Sequence, residues 1–94
     1  VLGHVGDGNF HAILLADHKD DEESKAAEQI NMRLIERSLA MDGTCTGEHG
    51  VGLGKKTSLH LELGDAVDLM RDIKRALDPE GLMNPGKIFD AAIA

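Results

Sequence analysis

Aromatic side chains are almost missing from this sequence: Phe10 and Phe89 stand alone, with no tryptophan and no tyrosine. That removes the stacking platforms on which single-stranded nucleic acid is held. Positive charge is short as well. Ten lysines and arginines face seventeen aspartates and glutamates, so the formal net charge is 10 − 17 = −7, and no nucleic acid partner is expected. One cysteine, Cys45, excludes an internal disulfide framework and fits a reducing compartment. No apolar run reaches the roughly 18 residues of a membrane span, and no signal-peptide pattern is present, so no membrane insertion is expected. Internal repeats and low-complexity linkers are also absent.

What is present is an ordinary apolar share, 41% of 94 residues, enough for one domain at most. A chain of this size buries roughly 60–65% of its unfolded surface and is marginal alone. It opens at Val1, inside an apolar run and without an initiator methionine, which predicts a fragment of a longer protein. Residues 1–17 read as strand. "FHAILLAD" is apolar on both faces, as in a strand covered on both sides. Residues 21–42 read as a long helix. Asp20 and Glu23 form a capping-box pair, and Asp21, Glu22 and Glu23 suit the positive end of the helix dipole. Its apolar stripe is Ala27, Ile30, Leu34 and Met41, widened by Ile35 and Leu39, and Gly43 is a natural stop. A glycine-rich loop follows, with a short strand expected at 44–46. A short helix is expected over 57–63. "DAVDLMRDIKRAL" is a clearer helix, with Ala66, Met70, Ile73 and Leu77 on one face, Asp65 as cap and Asp78-Pro79 as its end. The expected fold class is α+β: a small antiparallel sheet with packed helices.

"GHVGDGNFH", residues 3–11, sets two histidines seven apart. A plain strand would send them to opposite faces. Asp7-Gly8 is a strong two-residue hairpin signal, because a type I′ turn needs positive φ at both centres. Counting outward from it sets His4 opposite His11, with Cβ atoms ~4.5–5.5 Å apart. Two imidazoles so placed can share one metal ion at ~2.0–2.1 Å each. A bulge in place of a turn also changes the parity, and two unliganded hairpin histidines are the plainer reading. "CTGEHGVG" adds Glu48 beside His49 between glycines. A His4–His11–Glu48 set leaves an open coordination position, the pattern of a catalytic site, and leaves His49 free to move protons.

"GHVGDGNFH", "GTCTGEHGVGLGKK" and "DPEGLMNPGKIF" together resemble the C-terminal end of FAD-linked 2-hydroxy-acid dehydrogenases and oxidases of the vanillyl-alcohol-oxidase type. That group holds D-lactate dehydrogenase (cytochrome), glycolate oxidase and D-2-hydroxyglutarate dehydrogenase. The resemblance implies that residues 1–94 are the C-terminal portion of a substrate-cap domain, its FAD-binding domain lying upstream. It implies His4, His11 and Glu48 as ligands of a divalent metal (zinc, manganese and iron all accept such a set) and His49 as general base. Asn84 and Asn9 match positions near the flavin. The implied activity is oxidation of a D-2-hydroxy acid, D-lactate favoured, to the 2-oxo acid. The implied location is the cytoplasm, or the matrix side in a eukaryote, without secretion. A His base titrating near neutrality suits a hydroxyl already acidified by a metal.

Two other classes remain open: a non-catalytic metal-binding or assembly module, and a metal hydrolase using the same residues. The isolated chain, lacking a flavin fold, is expected to be inactive and to associate with itself through strand edges or apolar helix faces.

Several features read as decoys. "GVGLGKK" fails both the dinucleotide and the P-loop patterns. Lys55 and Lys56 read as a solvated helix start, with phosphate or substrate steering as the rival. Asp20–Glu23 lacks calcium-loop spacing. His18 and His60 read as surface residues. Cys45 reads as a small buried hydrophobe in preference to a redox thiol, and Met32, Met41, Met70 and Met83 as core filler. Asn84-Pro85-Gly86 is a turn on the plainest reading.

Overall fold

The helix signals become helices. In the computed structural model, which describes residues 1–90, α1 runs Asp21–Ala40, α2 Lys56–Leu63 and α3 Ala66–Leu77. A short 3-10 turn, Val5–Asp7, precedes them. The chain divides into two compact units, Val1–Gly47 and a second that begins at Glu48. No helix among the described residues is long and apolar enough to cross a membrane.

In the first unit, α1 starts where its acidic turn predicts, with one change of partner. Asp20 Oδ1 accepts from the N–H groups of Glu22 (3.0 Å) and Glu23 (3.3 Å). A capping box would return Glu23 to the Asp20 N–H. Instead Asp20 N–H donates to the Asp17 carbonyl at 3.0 Å, and Glu23 Oε2 accepts from Asp17 N–H at 2.8 Å. The same two residues therefore clamp a longer entry loop. The far end is a Schellman motif displaced by one residue. Asp42, at φ 62°, takes the left-handed position. Asp42 N–H donates to the Leu39 carbonyl (3.1 Å) and Gly43 N–H to the Ser38 carbonyl (2.8 Å), as that motif requires. The apolar stripe is half covered: Ala27, Leu34, Ile35 and Leu39 are half-buried, while Ile30 and Met41 are exposed.

The α+β expectation fails. Among the described residues there is no strand, neither in 1–17 nor at 44–46. A single isolated antiparallel bridge joins Leu2 and His11. The rest of the apolar run, residues 12–16, takes no regular secondary structure, and Leu15 is 95% exposed. Alternation and β-branching mark a segment that tolerates extension, but a strand exists only where a second segment completes its hydrogen bonds. The Asp7-Gly8 hairpin is not formed either. Val5–Asp7 coils into the 3-10 turn, and positive φ falls on Gly8 alone (75°). An L-residue at Asp7 avoids the left-handed region that a type I′ turn would force on it, and glycine takes it without strain.

In the second unit, α2 and α3 pack together. Leu59 and Ser58 of α2 are buried, and Val67 of α3 is fully buried. The inward face of α3 is rotated from the one expected. Val67, Met70, Arg71, Lys74 and Asp78 are buried or half-buried, whereas Ala66, Ile73 and Leu77 are exposed. Periodicity shows which residues share a face. It does not show which face turns inward once polar anchors compete for it. Two of the four expected core methionines, Met41 and Met83, are likewise exposed.

Those anchors belong to the tail. After Asp78-Pro79 ends α3, the chain turns back. The Asp78 carboxylate, 7% exposed, accepts from Lys74 Nζ, from Leu82 N–H (3.0 Å) and from Met83 N–H (2.9 Å). Lys74 Nζ also donates to the Met83 carbonyl at 2.7 Å. Farther on, the Arg71 guanidinium lies 5.8 Å from the Phe89 ring centroid, in cation–π range. Ile88 N–H donates to the Gly52 carbonyl (2.7 Å), and Lys56 pairs with Asp90 (3.2 Å).

Hydrogen bonds from Lys74, then from the Met83 and Leu82 amides, lower the Asp78 carboxyl from 3.8 to about 2. A carboxylate depressed by folding stabilises fully above its unfolded value and loses that contribution as pH falls through the folded one. The tail anchor should therefore be intact above about pH 4 and released near pH 2. The Leu82 and Met83 amide proton shifts, followed by NMR during acid titration, should move together near pH 2, and D78N should abolish that transition. A wild-type midpoint near pH 4 would contradict the anchor.

Candidate functional site

The first unit carries three of the candidate residues, and its turn decides their relation. The His4 carbonyl accepts from Asp7 N–H (2.9 Å) and Asn9 N–H (3.2 Å). Leu2 and His11 exchange both backbone hydrogen bonds, at 3.0 and 2.5 Å. His4 therefore lies across from Asn9, and His11 across from Leu2. The direct His4–His11 opposition expected from a two-residue hairpin is replaced by a diagonal relation, because four residues, 5–8, make the turn. In a regular ladder such diagonal neighbours still share a face, at about 7–8 Å. The parity reasoning survives the change of register; the close approach does not follow from it. The His4 side chain is exposed and His11 half-buried. The half-buried Asn9 side chain fills the space a Cβ at residue 47 would need, its Cγ 2.9 Å from that point. Glycine at 47 thus lets the loop close over Asn9. Cys45 is buried, as expected.

Glu48 and His49 open the second unit in irregular backbone. Their side chains lie together, Glu48 Oε1 at 3.5 Å from His49 Nε2, and are 43% and 73% exposed. The imidazole sits beside the carboxylate. Asn84 is exposed at φ 45°, a conformation asparagine tolerates better than most residues. Its carbonyl accepts from Lys87 N–H at 3.3 Å across Pro85-Gly86, so the turn is formed. Lys56, read as a solvated helix start, is engaged by Asp90. His18 and His60 are exposed, as expected.

The residues have the chemistry their implied roles require. Two imidazoles and a carboxylate suit a borderline divalent ion, and each is at least partly open to solvent. The Asn9 and Asn84 amides each offer donors and an acceptor, of which a flavin ring can use both. Sequence reasoning missed Asp78 and Lys74. The usable signal was a Lys–Asp pair four apart on the last turn of a helix, with a glycine and paired backbone amides three to five residues on. A cavity of about 200 Å³ opens beside them, lined in part by Arg71, Asp78, Pro85, Lys87 and Phe89.

Comparison with known proteins gives the frame for these residues. Residues 1–88 match the family described as FAD linked oxidases, C-terminal domain. A D-lactate dehydrogenase [cytochrome] of Saccharomyces cerevisiae is 53% identical over 90 residues, which is 95% of this chain and 15% of that protein. A probable mitochondrial D-lactate dehydrogenase of Danio rerio is 50% identical, covering 96% of this chain and 18% of the relative. A glycolate oxidase subunit of Bacillus subtilis is 40% identical, covering 95% and 19%. The chain spans no more than about a fifth of the length of these curated relatives. The three glycine-rich motifs, in their order and over nearly the whole chain, are thus those of a defined group: this chain belongs to the C-terminal domain family of FAD linked oxidases.

Proposed function

We propose that this chain is the C-terminal part of the cap domain of an FAD-dependent enzyme that oxidises a D-2-hydroxy acid to the 2-oxo acid, with D-lactate as the favoured substrate. The observation that carries the reading is the grading of identity. Four D-lactate dehydrogenases are 49–53% identical to the chain. Glycolate oxidase subunits and a D-2-hydroxyglutarate dehydrogenase are 35–40% identical. Membership of an FAD-linked family favours the oxidase over the hydrolase reading. Several of these relatives are named as mitochondrial, and a single cysteine accords with a reducing compartment, cytoplasm or matrix side.

In this reading His4, His11 and Glu48 hold a divalent metal, and Asn9 and Asn84 lie against the flavin, which is bound mainly by a domain beyond this chain. Bound FAD supplies the acceptor for the C2 hydride, and the metal ion supplies Lewis-acid polarisation of the substrate hydroxyl. The chain's own part is positional and acid–base. The two imidazoles and the Glu48 carboxylate orient the hydroxy acid. His49 Nε2 takes the hydroxyl proton, and its exposure leaves a route for that proton to solvent. Asn9 and Asn84 would offer amide donors and acceptors to bound flavin.

Three outcomes follow from this assignment. In the whole enzyme, H49Q should lower kcat by about 10²–10⁴-fold and remove the acid limb of the kcat–pH profile; a retained acid limb would reassign the base. Metal analysis by mass spectrometry should show bound metal falling well below one equivalent in H4A, H11A and E48Q, and unchanged content in all three would dismiss the ligand set. The isolated chain, with Leu15, Leu69, Ile73 and Leu77 exposed, should self-associate at micromolar concentration by light scattering. A monomer there would oppose that expectation.

A further inference from the structure

We infer that Asp78 and Lys74 are positioning residues for Asn84. The inference rests on the reading above, in which Asn84 faces the flavin. Both polar backbone groups of Met83, the residue before Asn84, are held by this one ion pair: its N–H by the Asp78 carboxylate and its C=O by Lys74 Nζ. Leu82 N–H is held by the same carboxylate. On the other side the Asn84 carbonyl is tied to Lys87 N–H, across Pro85, whose own φ is locked. Asn84 is therefore pinned from both directions in a left-handed conformation, with an exposed side chain. Between Asp78 and Met83 the chain passes through Gly81 at φ 64°, a position with few restraints of its own. Besides the ion pair, the backbone of 79–83 is held by the Gly81 N–H to Asp78 carbonyl bond. The pair lies between α3 and the tail that follows it. Asp78 is kept ionised with little solvent access, an arrangement that survives only where its hydrogen bonds are complete.

The test uses the whole FAD-loaded enzyme carrying D78N, K74M, K74R and N84A, with the double variants D78N/N84A and K74M/N84A. Three readouts are taken: the flavin absorption spectrum, the single-turnover oxidation rate and the thermal melt. Amide exchange at Met83 and Asn84 is followed in the flavin-free protein. D78N and K74M should each slow oxidation about tenfold or more, as a displaced contact does, and shift the flavin spectrum in the direction N84A does. Added to N84A, either should change nothing further, and K74R should retain most of the wild-type rate. Amide exchange at Met83 should quicken in both single variants. Multiplicative losses in the doubles would overturn the inference, since the pair would then act independently of Asn84. A marked effect of N84A with none from D78N or K74M would overturn the inference alone. A wild-type spectrum and rate in N84A would overturn the flavin placement and this inference together. If D78N fails to fold, K74M decides, because it leaves both amide bonds to Asp78 in place.

Discussion

One carboxylate directs the tail of this chain from residue 79 to residue 90. Asp78 sits just past the final turn of α3, takes the Lys74 ammonium from one turn back, and binds two amides ahead of it. An aspartate at that place in free solution would meet an unfavourable partial charge from the helix C-terminus. Lys74 offsets it, and the amides complete the carboxylate's hydrogen bonding. The tail is thereby obliged to turn back, and its later contacts can form: Phe89 under Arg71, Ile88 on the Gly52 carbonyl, Asp90 on Lys56. The same anchor accounts for the rotated face of α3. Arg71 and Lys74 lay their aliphatic stems on the inward side to reach these partners, and Ile73 and Leu77 are left outside.

The first unit shows the same priority of local polar bonding over apolar pattern. Asp20 and Glu23 tie the loop from Asp17 to the first turn of α1. A 3-10 turn spares Asp7 a left-handed conformation and gives it to Gly8. That small preference shifts the register of 2–11 and converts a direct histidine pair into a diagonal one. The consequence for a metal site is geometric. A ligand set built on direct opposition is specified by the backbone, whereas one built on a diagonal depends on rotamers and on the surroundings of the loop.

The positions of the helices were legible, from the acidic start of α1 to the Asp-Pro end of α3, but not every cap: the Asp65 side chain expected to cap α3 makes no cap hydrogen bond. The candidate residues were nominated from glycine-rich motifs that place ligand-type side chains within a few positions. Family membership followed from the same stretches. The sheet was not legible. Residues 10–17 have strand composition, yet a strand needs a second segment along its length, and among the described residues that run gains only the isolated Leu2–His11 bridge. The Lys74–Asp78 anchor escaped notice for a different reason. Lysine and aspartate four apart are common on exposed helices and contribute little there, and only the returning tail turns that pair into an anchor.

By itself, then, the amino-acid order determined where the helices lie and the family to which the chain belongs. All of these rest on interactions within a few residues or on motifs read directly. Tertiary structure alone decided which side of α3 faces inward, how Leu2 and His4 register against Asn9 and His11, and where the tail after Asp78 returns. The face of α3 and the return of the tail balance contacts between segments distant in sequence, and the register of 2–11 turns on which conformation one short loop adopts, so no single local pattern states the result.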